Sequence, residues 1–138
     1  MKLSDFDFRI WDGKKYINNI KGGVYIHKDN TGVKCLNRNQ DCYDYEFELD
    51  DLDNSNLEIE LFTGLYDKKD KKVYENDIVK VKSLYDYFLA KISIHKEGTF
   101  YFEGKNGDYI GSLIYLVEDE GYTIETIGNI HENTELLK

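Results

Sequence analysis

The chain has 138 residues, a net charge of −9, 41% hydrophobic and 33% charged residues. That is enough for one domain, or two small β lobes, with a core that needs no staples. So acidic a body excludes a general binder of the phosphate backbone, which requires clustered Lys and Arg. No apolar run reaches the length of a membrane span and no apolar leader follows Met1-Lys2, so a cytoplasmic protein without membrane contact is expected. Twelve Tyr and seven Phe with no Pro favour strands over helices. In the cytoplasm Cys35 and Cys42 stay reduced and read as small packed thiols.

In chain order, Phe6, Phe8 and Ile10 alternate with Asp7 and Arg9, the period of a half-buried strand. Asp12-Gly13 turns the chain into Tyr16-Ile17, with Trp11 a packing aromatic at the corner. Val24 to His27 and Val33 to Leu36 form a second hairpin around a longer loop, Lys28 to Gly32. Tyr45, Phe47 and Leu49 then alternate with Glu46 and Glu48. Leu57, Ile59 and Leu61 repeat the pattern, with Glu58 and Glu60 on the solvent side. Between them Asp50 to Asn56 reads as a solvated connection, placing an N-terminal β lobe at 1–56 and a C-terminal lobe at 57–138.

Nine acids and no Lys or Arg lie between Asp41 and Glu60. Asp51, Asp53 and Ser55 have the first spacings of a calcium loop. Asn56 stands where its glycine belongs and Phe62 where its glutamate belongs, so the stretch reads as a solvated face.

The stretch Phe62 to Val81 organises the C-terminal lobe: a strand, a lysine-rich tip from Asp67 to Lys72, a short return, a corner at Glu75-Asn76-Asp77 and a second strand. Ala90, Ile92 and Ile94 continue the period, and Lys96-Glu97-Gly98 turns into Phe100 and Phe102. Asn106-Gly107 reads as the strongest single hairpin signal in the chain, since both residues tolerate positive φ. Ser112 caps a short helix with Leu113, Leu116 and Val117 on one face, and Gly121 stops it. A last strand, Tyr122 to Ile130, precedes a closing helical turn capped by Asn133.

Three blocks resemble the YopX family of bacteriophage and prophage proteins: Phe6 to Asp12, Phe62 to Val79, and Ile127 to Asn133. The resemblance spans nearly the whole chain. It implies a mainly β protein whose C-terminal lobe is an SH3-like barrel begun by the corner and strand Glu75 to Val81, and an origin in a phage within a bacterial host. The residues Trp11, Gly64, Asp77, Gly128 and Asn129 carry the shared pattern, and the last four read as turn and corner formers. Asp70 and Asn76 stand where the family has glycines, and both residue types tolerate left-handed backbone. On that reading Asn76→Gly leaves stability unchanged or slightly raised. The family brings no established activity with it.

No metal-ligand spacing, phosphate loop, dinucleotide fingerprint or nucleophile elbow is present, and His27, His95 and His131 are scattered. No enzyme activity, cofactor or metal is therefore expected. The leading reading is a protein-interaction module with Tyr85, Tyr87 and Tyr101 as exposed aromatics, binding a host or phage protein or a second copy of itself. The alternative is nucleic-acid function, through Lys68, Lys69, Lys71 and Lys72 with Lys80 and Lys82, or through acidic mimicry of DNA. Asp67 and Asp70 interrupt the lysine run and no aromatic is interleaved in it, which favours a solvated hairpin tip.

Overall fold

The computed structural model describes residues 1–17, 24–38, 49–51 and 57–138. Its strands are β1 (Phe8–Trp11), β2 (Val24–Asp29), β3 (Gly32–Arg38), β4 (Leu49–Asp51), β5 (Glu58–Tyr66), β6 (Lys72–Tyr74), β7 (Asp77–Lys82), β8 (Tyr87–Ile94), β9 (Phe100–Glu103), β10 (Tyr109–Ser112) and β11 (Thr123–Asn129). Among the described residues the helical elements are 3-10 turns at Leu3–Asp5 and Thr134–Leu137 and a π-helical turn at Tyr115–Asp119. The mainly β expectation holds. Two compact units emerge, one formed by Met1–Phe8 with Glu60–Lys138, the other by Arg9–Ile59. The sequence division at 56/57 falls three residues before Ile59/Glu60, and the first eight residues group with the C-terminal unit, because the Asp7 carbonyl accepts a hydrogen bond from Phe62 N–H.

In the smaller unit Ile10 is buried, Trp11 meets the edge of Tyr16 at 5.0 Å, and the Arg9 guanidinium lies 4.6 Å from the Tyr16 ring centre. Asp12 closes that hairpin by accepting from the N–H groups of Lys14 and Lys15, with Gly13 at φ 99°. The second hairpin is tighter than its sequence suggests. Asp29 pairs with Gly32, and the Asp29 carboxylate accepts from both the N–H and the hydroxyl of Thr31, so the strands run up to a turn at Asn30-Thr31. Asp50 and Asp51, expected to open a solvated connection, instead pair with Asn37 and Leu36 across β3–β4. Cys42, Tyr45, Phe47, Asp53 and Ser55 lie outside the described residues.

The larger unit is built on a five-stranded antiparallel sheet in the order β10-β9-β8-β7-β11. Four strands follow one another as a meander, and β11 returns after the π-helical turn to pair with β7. The SH3-like barrel expected for this lobe is not closed here. Among the described residues β10 and β11 are not hydrogen-bonded to each other, so the sheet is open. Val79 and Val81 of β7 and Ala90 and Ile92 of β8 are fully buried with Phe102 and Leu113, Ile124 nearly so, and Ile78, between Asp77 and Val79, is fully buried as well. Each such aliphatic or aromatic side chain contributes about 1.5–3 kcal/mol.

Two turns take a form that the sequence left open. At 104–108 only Gly107 has positive φ, 78°, while Asn106 does not. Gly104 and Asp108 close a wider loop by Gly104 N–H to Asp108 C=O at 2.8 Å. The helix after Ser112 is wound as a π turn, with Glu120 N–H donating to Tyr115 C=O. It packs through Leu116 on Gly111, where an added Cβ would lie 2.9 Å from Leu116 Cδ1.

Candidate functional site

The centre of the larger unit is a corner, and its chemistry is backbone support. Asn76 sits at φ 70°. Its N–H donates to Ile92 C=O and its carbonyl accepts from Ile130 N–H, so the corner ties the end of β11 to the middle of β8. The buried Asp77 carboxylate accepts from Tyr74 N–H at 2.9 Å and closes the turn. The Asn76 side chain donates to Glu60 Oε2 at 2.7 Å, and His131 Nε2 lies 2.9 Å from the same oxygen.

Glu60 is 0% exposed, whereas its neighbour Ile59 is 48% exposed. The alternation expected for this strand, Ile59 inward and Glu60 outward, is therefore inverted. A buried carboxylate needs charge-assisted partners, and Asn76 and His131 supply them from residues far away in sequence. Only a left-handed Asn at the corner and a His just after the last strand hinted at this.

The remaining signature residues explain themselves locally. Gly64, at φ 87° with open space around it, provides an irregular point in β5 between Phe62 and Tyr66. Gly128 is required for room: an added Cβ would stand 2.6 Å from Asn133 Oδ1. That oxygen accepts from Asn129 N–H at 3.2 Å, and the Asn129 side chain accepts from the N–H groups of His131 and Glu132. Asn133 thus precedes the last helical turn but caps nothing with its side chain, which turns back to β11. Trp11, as expected, is a packing aromatic.

The lysine tip is organised by Asp67, which is nearly buried. One carboxylate oxygen accepts from Lys69 and Lys71 N–H at 2.8 and 2.9 Å, and the other from Thr126 N–H at 3.1 Å. Burial works against the charge, but the backbone donors of Lys71, Thr126 and Lys69 outweigh it and hold the carboxyl below its usual range. Lys68 and Lys69 both reach Glu125, at 3.0 and 3.1 Å. Lys72 reaches Asp7 at 2.8 Å and lies over the Phe62 ring, while Tyr74 OH donates to the same Asp7 oxygen. Asp7 is likewise held low, burial being outweighed by the hydrogen bonds from Lys72 and Tyr74. Lys71 alone of the four forms no side-chain ion pair among the described residues. Three of the four lysines are thus matched by acids on the same unit, and the tip is no free cationic patch.

The opposite end of β7 differs. In the β7–β8 turn Leu84 and Tyr85 are 93% and 95% exposed. The turn backbone is fixed by Ser83 N–H to Asp86 C=O and by Asp86 N–H to Ser83 Oγ. These residues face a cleft of about 360 Å³ whose other wall is Glu120 to Thr123, including Tyr122. Tyr87 stands beside it, half exposed under the Lys80 ammonium at 4.3 Å. Farther along the sheet Tyr101 stacks on His95 at 4.1 Å and approaches Tyr109 at 5.4 Å. Tyr85 and Tyr87 are therefore the exposed aromatics foreseen from the sequence, whereas Tyr101 is engaged in a stack. In the smaller unit a separate cleft of about 160 Å³ is lined by Ile26, Val33, Cys35 and Ile59, and burial raises the Cys35 thiol pKa, which keeps it an unreactive thiol.

Comparison with known proteins agrees with this architecture. No curated protein matches the chain. Among solved structures it is similar to protein yopX from Bacillus subtilis, with a TM-score of 0.65 and 22% identity over 95% of this chain and 97% of that one. It is also similar to protein EF1440 from Enterococcus faecalis, with a TM-score of 0.58 and 24% identity over 96% and 98%. The family model described as YopX protein matches residues 7–138. The chain belongs to the YopX family.

Proposed function

We propose that this protein is a non-catalytic interaction module of phage or prophage origin, acting in the bacterial cytoplasm by binding another protein. The observation that carries the reading is the β7–β8 tip, where Leu84 and Tyr85 stand in solvent on a hydrogen-bonded turn beside a cleft. Water-exposed apolar groups on an ordered backbone gain free energy when a partner covers them. The net charge of −9 favours encounter with a basic partner and makes the on-rate fall with added salt. The polar side chains around Asn76 and Asp67 support backbone, which speaks for scaffolding over catalysis. Direct nucleic-acid binding is the weaker reading, since Lys68, Lys69 and Lys72 are already engaged by Glu125 and Asp7. The test replaces Lys68, Lys69, Lys71 and Lys72 by Ser and measures binding to duplex and single-stranded DNA at low salt. Weak binding by the parent, unchanged in the variant, is expected. Tight parental binding that the variant loses would establish the nucleic-acid reading instead.

A further inference from the structure

The two edges of the five-stranded sheet are treated differently. The outer edge of β11 is covered by the chain itself: Lys68 N–H donates to Ile124 C=O and Thr126 N–H to Asp67. Among the described residues no strand or turn pairs with the outer edge of β10. Exposed edges are normally blunted by shortness, a bulge, lysine, proline or a covering loop, and β10, four residues long, is short. Here β10 has a bulge between Tyr109 and Gly111, but it contains neither Lys nor Pro. Tyr109 and Ile110 lie exposed on it, and Ile114 and Tyr115 lie exposed just beyond. Gly111 lets the π-helical turn pack down beside the strand, so edge and turn present one apolar margin.

The charge of this margin is mainly acidic, with Lys105 in the preceding turn as its one cation. From Asn106 to Gly121 the chain carries Asp108, Glu118, Asp119 and Glu120 and no Lys or Arg. An extended segment that paired with β10 would satisfy its free backbone groups and cover its apolar side chains. It would meet carboxylates at both ends.

We propose that β10 is a strand-addition site that takes an extended, basic segment of a partner protein, with apolar residues alternating with Lys or Arg, as a further strand of the sheet. This rests on the protein-interaction reading above and adds where and how the partner is held. A second copy of this chain is disfavoured as occupant, because it would bring the same four carboxylates to the margin.

The test uses the full chain and three synthetic peptides: alternating Lys and Val, the same sequence with alternate backbone nitrogens methylated, and alternating Glu and Val. The Lys-Val peptide should bind and protect β10 amides from hydrogen exchange. The methylated peptide should bind at least about tenfold more weakly, the size expected from losing a few net backbone hydrogen bonds. Ile110→Lys should weaken the Lys-Val peptide in the same way. Equal binding of the methylated peptide, or binding of the Glu-Val peptide as tightly as the Lys-Val peptide, would overturn the proposal. So would self-association of the chain that Ile110→Lys abolishes. Absence of any peptide binding would also overturn it, and would leave the broader reading intact if a protein partner were still held through Leu84 and Tyr85.

Discussion

Asn76 occupies a left-handed corner and at the same time donates its amide to the buried Glu60 carboxylate. The sequence-based expectation that glycine would serve there as well considers only the backbone, and the structure adds a side-chain hydrogen bond to the balance. Glycine would relax the corner but remove a hydrogen bond to a buried charge, which is worth about 1.5–3 kcal/mol. Asn76→Gly is therefore expected to lose on the order of 1 kcal/mol, the hydrogen bond outweighing relief of the left-handed strain. Asn76→Val should lose more, since it adds a β-branched side chain at positive φ to the same lost hydrogen bond. Urea unfolding of both variants checks the order. Thr126 offers the opposite sign: its hydroxyl is buried and has no hydrogen-bond partner among the described residues. Thr126→Val keeps the N–H that Asp67 needs and should gain on the order of 1 kcal/mol, read as a raised midpoint in the same titration.

At the scale of elements, the Asp67 tip joins the β5–β6 connection to β11 through one carboxylate. Its pKa is depressed in the folded state, so its contribution is fully present above the unfolded value near 3.8. That contribution is lost as pH falls through the lower folded value. Acid should release the tip from β11 in that window. Asp67→Asn should flatten the pH dependence of stability there, while lowering stability at neutral pH by about 2 kcal/mol. Elements such as β7, β8 and the tip were legible in the sequence because alternation, turn residues and flanking apolar runs all agreed. The inverted end of β5 was not. Period-two reasoning assigns a glutamate to solvent, and only the distant partners Asn76 and His131 make Glu60 an inward residue. The Asn106-Gly107 signal does mark the β9–β10 hairpin, although the chain uses left-handed backbone only at Gly107.

For the whole molecule, the mainly β architecture and the family followed from pattern and signature, but the interaction surfaces did not. Leu84 looks in sequence like one more apolar residue in a strand-rich chain, and Tyr85 like an exposed aromatic with no site attached to it. Their isolation at a turn, beside a cleft walled by Tyr122, appears only when β7 and β11 are paired. The lysine run shows the reverse, since a cationic cluster in sequence becomes a set of ion pairs with Glu125 and Asp7 once folded. The most direct measurement compares proteins retained from a bacterial lysate by the parent and by the Leu84→Ser, Tyr85→Ser double variant. Mass spectrometry identifies what is bound, with nuclease treatment and the four-lysine variant as parallel arms. A specific protein that survives nuclease and the lysine changes, and is lost with the double variant, is the predicted result. Retention of that protein by the double variant, or recovery of nucleic acid that the lysine changes abolish, would contradict the account.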